Sequence, residues 1–327
     1  MTDLLPADES AFGGRQGFVI DLVRLIRPKQ WVKNILVLAA VFFAGEEARR
    51  QGWSFDILLL RVFVGFLAFC LLSGAVYTLN DIMDRKRDAQ HHYKRFRPIA
   101  SGRISVPVAS TYCLILAAIG LSVSFFYLHL PFFIVACLYV VSNILYSTLL
   151  KSVVILDVII VAFGFVLRAV AGVRAVVEYD VLSPWLLICT FFLALLLATA
   201  KRRGEKLSVE GKSHSRPILD DYPPALLNHM VVITAVTTII AYSVYTVYPE
   251  TTIRLGTTYM YYTIPFVTYG VLRYLYLMYH KELGESPTSI LLTDHPLQLD
   301  IVLYILVTFA ILYLHPGSIL YQAIFGQ

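Results

Sequence analysis

Four oxygen-bearing side chains follow one another closely near residue 80: Asn80, Asp81, Asp84 and Asp88. On a helix the three aspartates stand at i, i+3 and i+7 and share one face. Carboxylates this close repel one another unless a cation lies among them, and hard oxygen ligands that leave room for phosphate oxygens favour Mg²⁺. We predict that these four residues hold Mg²⁺ on a diphosphate; the alternative is a solvated loop.

A dense group of cations comes next in the chain, at Lys94, Arg95, Arg97 and Arg103. A metal ion together with cationic side chains is a common way to hold a polyphosphate and neutralise a leaving diphosphate. A basic loop at a membrane surface would explain Arg95 and Arg103 equally well. For Lys94 and Arg97 we predict contact with phosphate.

Two ionisable residues lie inside an apolar segment, at Asp157 and Arg168. Eleven residues separate them, which is about 16 Å along a helix. Ionisable groups at such depth are costly and usually line a polar cavity. We predict Asp157 as a second carboxylate at the metal and Arg168 as a cavity residue, and the alternative for Asp157 is a structural salt bridge. Further candidates for substrate binding near the same face are Lys29, Lys33, Asn34, Tyr146 and Lys151.

Long apolar segments must position these residues. The chain has 327 residues, of which 58% are hydrophobic and 15% charged, which excludes an ordinary soluble domain. We predict an all-α, polytopic membrane bundle of nine transmembrane helices, formed by residues 18–327 as one domain after a disordered tail, 1–17. The runs of spanning length are 57–79, 106–128, 130–150, 153–173, 182–200, 226–248, 258–279 and 297–322, with 31–44 as a short ninth.

The distribution of charge predicts the orientation of the bundle. With nine spans, most of the 27 lysines and arginines fall in connections on one side, so the positive-inside rule puts the N-terminus and the site in the cytoplasm and the C-terminus outside. The net charge of +5 suits anionic lipid headgroups rather than nucleic acid. A transporter would explain the spans, but not the gathering of acidic and basic clusters on one face.

The acidic segment resembles the first signature, NDxxDxxxD, of the UbiA superfamily of membrane prenyltransferases, met here by Asn80, Asp81, Asp84 and Asp88. The resemblance narrows to the phosphoribosyl branch, the decaprenyl-phosphate phosphoribosyltransferases, through four further segments: 27–34, 94–102, 200–203 and 273–276. It also implies that Lys201 and Arg202 contribute to substrate binding.

One departure from the superfamily bears on the substrate. The usual second signature, DxxxD, is incomplete, because Asp157 is followed four residues later by Val161. The resemblance therefore implies transfer of a 5-phosphoribosyl group from 5-phosphoribosyl diphosphate (PRPP) to a decaprenyl or other polyprenyl phosphate, with Mg²⁺, for lipid-linked arabinose donors in cell-wall synthesis. The alternative is an aromatic prenyltransferase of quinone or haem synthesis. A homo-oligomer is compatible with the sequence but is not specified by it.

Overall fold

The computed structural model describes residues 15–43, 52–92, 94–176, 183–207, 217–280, 290–291 and 293–314. The α-helices are α1 (Arg15–Ile26), α2 (Ile35–Leu38), α3 (Ala40–Phe43), α4 (Phe55–Gln90), α5 (Val106–Phe126), α6 (His129–Thr148), α7 (Leu156–Arg174), α8 (Pro184–Leu207), α9 (Pro224–Val247), α10 (Pro249–Leu255), α11 (Ile264–His280) and α12 (His295–Tyr313). Short 3₁₀ helices occupy Pro28–Asn34, Lys94–Phe96, Leu150–Ser152, Pro217–Leu219 and Tyr259–Thr263. The predicted all-α class is confirmed.

Seven of the described helices are long and apolar enough to cross a membrane: α4, α5, α6, α7, α8, α9 and α12. Helix α11 has 17 residues and falls just short of that length. The segment predicted as the first span is instead divided into a 3₁₀ helix and the two four-residue helices α2 and α3. The predicted count of nine is therefore not confirmed.

Helix α1 precedes the bundle. It begins at Arg15, so the last three residues of the predicted tail, 15–17, are helical; the rest of that tail, 1–14, lies outside the described part. Asp21 accepts hydrogen bonds from Arg24 at 3.2 Å and from Arg103 at 2.8 Å. Leu25 is fully buried in a small cluster with Ile99. The hydrogen bond to Arg103 and the packing against Ile99 attach helix α1 to the loop between α4 and α5.

Helix α4 is a single helix of 36 residues, about 54 Å long at 1.5 Å per residue. That exceeds the roughly 30 Å of a bilayer's hydrocarbon core, so its last turns extend past the apolar layer. These turns carry Asn80 to Asp88, and the helix ends where His91 adopts an extended conformation. The length of α4 thus puts the predicted carboxylates at one end of the bundle.

Consecutive helices from α4 to α9 pack against one another. We call the end where α4, α6 and α8 finish the polar end. At the opposite end, Arg61 of α4 donates from Nε to the carbonyl oxygen of Ala175 at 2.8 Å. This contact satisfies a carbonyl at the end of α7 that has no helical partner.

A glycine allows α2 to lie directly against α7. A Cβ atom at Gly172 would stand 2.3 Å from the carbonyl oxygen of Val37, so a larger side chain would force the two backbones apart. The close approach brings Asn34, just before α2, to Arg168 on the same side of α7. A backbone contact inside the bundle therefore determines the position of polar side chains nearer the polar end.

Candidate active site

Arg97 joins two of the predicted carboxylates. Its Nη1 atom lies 3.0 Å from Asp81 Oδ1 and 2.6 Å from Asp88 Oδ2. Arg27 also pairs with Asp81, and its guanidinium lies over the ring of Tyr77. Asp81 and Asp88 are both buried. We call Asp81, Asp88, Arg97 and Arg27 the carboxylate–arginine group; it joins α4, the loop that follows it and the chain end of α1.

The other two predicted ligands face a different neighbour. Asn80 accepts a hydrogen bond from Ser147, and Asp84 Oδ1 lies 3.1 Å from the ammonium of Lys151. Arg87 also reaches Asp84, at 3.0 Å. At 100° per residue, positions 81 and 88 differ by only about 20° around a helix, whereas 84 and 80 are turned further, by about 60° and 100° from 81. The prediction of one shared face needs this correction, because Arg97 of the loop pairs with Asp81 and Asp88, whereas the other two residues meet α6 and the 3₁₀ helix that follows it.

The described residues contain no group of three or more His, Cys, Asp or Glu side chains arranged to hold a metal ion. Asp81 and Asp88 nevertheless converge on one positively charged nitrogen, that of Arg97. Mg²⁺ is often held by only one or two carboxylates, with phosphate and water oxygens completing its six ligands. The donors therefore fit Mg²⁺ as a pair of carboxylates beside a diphosphate, but the four predicted ligands do not form one shell.

Asp157 is fully buried, and both of its carboxylate oxygens have protein partners. Arg202 donates from Nε to one oxygen at 2.6 Å, and the hydroxyl of Tyr222 donates to the other at 2.6 Å. The same hydroxyl accepts from the backbone N–H of Ile155 at 2.7 Å. Asp157 thus has the ion pair expected from the alternative considered for it, and its role at a metal stays a prediction.

Arg202 is shared among several acceptors. Besides Asp157, it donates to Glu205 at 2.9 Å and to the hydroxyl of Tyr146 at 3.3 Å. Lys201, the neighbouring predicted residue, lies 3.8 Å from Glu205 and its side chain is 42% exposed. Arg202 is thus committed to protein groups, while Lys201 remains accessible at the polar end.

Arg168 lies deeper in the bundle and binds neutral groups. Its Nε donates to Asn34 Oδ1 at 2.8 Å and its Nη2 donates to the hydroxyl of Tyr139 at 2.7 Å. Asn34 in turn donates to Ser73 at 3.1 Å. The predicted cavity role of Arg168 and the predicted proximity of Asn34 to the site are both consistent with this network.

The remaining predicted cations differ in their surroundings. Lys29 is exposed on the 3₁₀ helix Pro28–Asn34, and Lys94 begins the 3₁₀ helix that precedes Arg97. Lys33 lies on the first of these 3₁₀ helices, outside the seven candidate spans. Burial, followed by the positive charges of Lys201, Arg168 and Arg27, lowers the pKa of Lys33 to about 7.

The structure adds residues that the sequence did not single out: Arg27, Tyr139, Ser147 and Tyr222. Arg27 has a left-handed backbone, with φ 49° and ψ 67°, between α1 and Pro28. Its only signal in the sequence was its place at the start of the segment 27–34, which carries part of the family resemblance. The tyrosines and the serine carried no signal, because such residues are common in membrane helices and at their ends.

Comparison with known proteins identifies relatives over most of the chain. The sequence model of the UbiA prenyltransferase family matches residues 35–293. The decaprenyl-phosphate phosphoribosyltransferase of Corynebacterium glutamicum is 32% identical over 301 residues, which are 90% of this chain and 87% of the relative. The enzyme of the same name from Mycolicibacterium smegmatis is 32% identical over 297 residues, 88% of this chain and 91% of the relative.

Solved structures share the fold. A UbiA homologue from Archaeoglobus fulgidus, bound to GPP and Mg²⁺, superposes with a TM-score of 0.65 over 89% of this chain and 99% of the homologue. The identity in that comparison is 21%. The likeness supports the helical architecture described above.

Proposed function

The chain belongs to the UbiA prenyltransferase family, and on that premise we propose that it transfers the 5-phosphoribosyl group of PRPP to a polyprenyl phosphate and releases diphosphate. The observation that carries the proposal is the engagement of Asp157 by Arg202 and Tyr222. A second metal-binding carboxylate, which the usual family signature would supply for a prenyl diphosphate, is thereby committed to protein groups. The names of the relatives support the same substrates.

The proposed reaction needs no protein nucleophile. An oxygen of the lipid phosphate forms a bond to C1 of the ribose, while the bond from C1 to the diphosphate oxygen breaks and its electron pair leaves with diphosphate. The attacking oxygen is already largely ionised near neutral pH, because the second pKa of a phosphate monoester is about 6. Positioning and charge neutralisation are then the main contributions expected of the protein.

The carboxylate–arginine group is the proposed site of the diphosphate. Asp81 and Asp88, with Asn80 and Asp84 beside them, would hold Mg²⁺, which when bound would neutralise negative charge on the leaving group. Arg97 and Lys151 already stand next to these carboxylates. We assign to these two cations the stabilisation of charge that develops on diphosphate as it departs.

We place the polar end of the bundle at the cytoplasmic surface of the inner membrane, with the N-terminus in the cytoplasm and the C-terminus outside. The basic loops support this orientation by the positive-inside rule. PRPP would then enter from water and the lipid would enter from the bilayer, and the two would meet at the interface. The product would supply a lipid-linked arabinose donor for cell-wall polysaccharide.

The decisive experiment is a transfer assay with purified protein, Mg²⁺, PRPP and a polyprenyl phosphate. We expect diphosphate release that depends on the lipid, together with a lipid-linked pentose phosphate identified by its mass. A parallel reaction contains a prenyl diphosphate and a hydroxybenzoate. Product only in that second reaction would overturn the proposal in favour of an aromatic prenyltransferase.

A further inference from the structure

Arg168 carries a buried positive charge that no carboxylate balances among the described residues. Its side chain donates to Asn34, to the backbone oxygen of Gly164 and to the Tyr139 hydroxyl, at 2.8, 2.9 and 2.7 Å. All three acceptors are neutral. A charge removed from water without an opposite charge nearby is costly. The hydrogen bonds therefore fix the direction of the guanidinium without neutralising it.

Lys33 adds a second positive charge at the same place. It is partly buried and directly precedes Asn34, whose side chain accepts a hydrogen bond from Arg168, and the positive charges of Lys201, Arg168 and Arg27 act on its ammonium. Within the described ranges, no carboxylate forms an ion pair with Lys33. Arg168, which is buried, and Lys33 are thus neighbours through Asn34, and neither has an acidic partner among the described residues.

The other cations of the site differ in this respect. Arg97 contacts Asp81 and Asp88, and Lys151 contacts Asp84. Arg202 is paired with Asp157 and Glu205. Carboxylates of the protein therefore neutralise these cations, at least in part. In the part of the chain that the structure describes, Lys33 and Arg168 have no such partner, so the chemistry that they match is that of an external anion.

An apolar cavity of about 390 Å³ lies next to the two chain segments that carry these residues. Ile35 and Leu36, which directly follow Asn34, line it, as does Ala169, which directly follows Arg168. Its far walls come from α8, α11 and α12, through Leu193, Val267 and Ile305. The volume is within the range of about 300–1,000 Å³ that accommodates a small organic ligand, so it suits the first part of a longer apolar chain.

We propose that Lys33 and Arg168 bind the phosphate of the lipid acceptor, while the first isoprene units of its chain occupy the apolar cavity. The inference rests on the proposed function and extends it to two separate phosphate sites, one for the acceptor and one, at the carboxylate–arginine group, for the diphosphate. The 5-phosphate of PRPP has the same charge chemistry as the lipid phosphate. The adjoining cavity favours the lipid, because a ribose phosphate has no apolar chain to fill it.

The test measures binding of farnesyl monophosphate to the purified full chain in detergent by calorimetry, in the absence of PRPP. The variants are Lys33→Gln and Arg168→Gln, with Arg254→Gln on α10 as a control that removes one positive charge elsewhere. We expect the first two to weaken binding by about ten- to a hundredfold, the usual effect of losing a hydrogen bond to a charged group. The control is expected to bind as the unmodified protein does. Farnesol, which lacks phosphate, should bind all four proteins equally.

The apparent affinity for PRPP is measured on the same proteins and separates the two sources of phosphate. We expect it to change less than twofold in Lys33→Gln and Arg168→Gln. If PRPP binding falls and farnesyl phosphate binding does not, the two cations serve the 5-phosphate and the inference is wrong. Unchanged binding of both ligands also overturns it.

Folding is monitored by monodispersity and thermal unfolding, because Arg168 is buried in a hydrogen-bond network. If Arg168→Gln does not fold, Lys33→Gln decides the result, since its side chain makes no ion pair among the described residues. Failure of the transfer assay with intact, cation-dependent binding of farnesyl phosphate would refute the proposed function and leave the phosphate site standing.

Discussion

Arg202 and Asp157 form an ion pair of 2.6 Å in which the two side chains are 4% and 0% exposed. The pair connects α8 to the first turn of α7, and Tyr222 attaches the segment before α9 to the same carboxylate. Neither charge has access to solvent. The three chain segments are therefore coupled through one carboxylate, close to the accessible Lys201.

Removing that carboxylate should destabilise the protein. Asp157→Asn leaves a buried guanidinium with Glu205 as its remaining acidic partner, so we expect a loss of about 3 kcal/mol, the lower part of the range for breaking a buried ion pair. Thermal unfolding in detergent measures it, with the exposed Asp56→Asn as the matched control. A stable Asp157→Asn protein that needs a higher Mg²⁺ concentration for half-maximal activity would instead identify Asp157 as a metal ligand.

Arg97 should be essential for activity, whereas Arg95, two residues earlier in the chain, should not be. We expect Arg97→Gln to lower kcat/KM for PRPP by about a hundredfold or more, because the cation beside the leaving diphosphate is lost. Arg97→Lys should recover part of the activity. The control is Arg95→Gln, since Arg95 is exposed and lies over the ring of Phe96. Equal losses in Arg95→Gln and Arg97→Gln would mean only that the loop needs positive charge.

Metal dependence should distinguish the pair Asp81 and Asp88 from the pair Asn80 and Asp84. We expect EDTA to abolish diphosphate release and added Mg²⁺ to restore it. Asp88→Asn should raise the Mg²⁺ concentration for half-maximal activity by about tenfold, equivalent to about 1.4 kcal/mol, because Asp88 and Asp81 converge on one cationic nitrogen. Asp84→Asn should have a smaller effect. The double variant Asp81→Asn, Asp84→Asn should be inactive at normal expression, and full activity there would refute the metal assignment.

The affinity for the lipid phosphate should fall at alkaline pH. Only the protonated ammonium attracts an anion, and the pKa of Lys33 is lowered to about 7, so the charged fraction in the free protein declines as the pH rises through 7. Farnesyl phosphate affinity should thus decrease between pH 7 and pH 9. Lys33→Arg, whose guanidinium stays charged, should flatten this decrease. An identical pH profile for both proteins would show that Lys33 does not contact the phosphate.

The contact between α2 and α7 should be intolerant of a methyl group. Gly172→Ala would place Cβ 2.3 Å from the carbonyl oxygen of Val37, and we expect a loss of about 1–3 kcal/mol in stability. Gly164→Ala, whose Cβ would meet only Arg168 at 3.5 Å, is the control for adding a methyl group to the same helix. Equal thermal stability of the two variants would contradict the close packing of α2 on α7.

The sequence predicts the spanning helices well where the apolar run is regular, as in 106–128 against the observed Val106–Phe126. It fails at 31–44, where composition alone does not reveal that Arg27 turns left-handed before Pro28 and that the chain continues as short helices. It also identifies most of the side chains that gather at the polar end. Their partners were not predictable, because Arg168 and Asn34 are 134 positions apart and Arg202 and Asp157 are 45 apart.

The sequence by itself determined the family, the all-α membrane architecture and the acidic and basic residues of the site. The family follows from the resemblance of several short motifs, whereas the architecture and the clustering of charges follow from the length of apolar runs and from helical spacing. All of these are local properties of the chain. Only the tertiary structure decided that Asp81 and Asp88 face Arg97, that Asn80 faces α6 and Asp84 faces Lys151, and that Asp157 is neutralised by Arg202. The physical reason is that each carboxylate pairs with the cation that lies within hydrogen-bonding distance in the folded chain. Packing sets these distances, and it brings together helices that are distant in sequence.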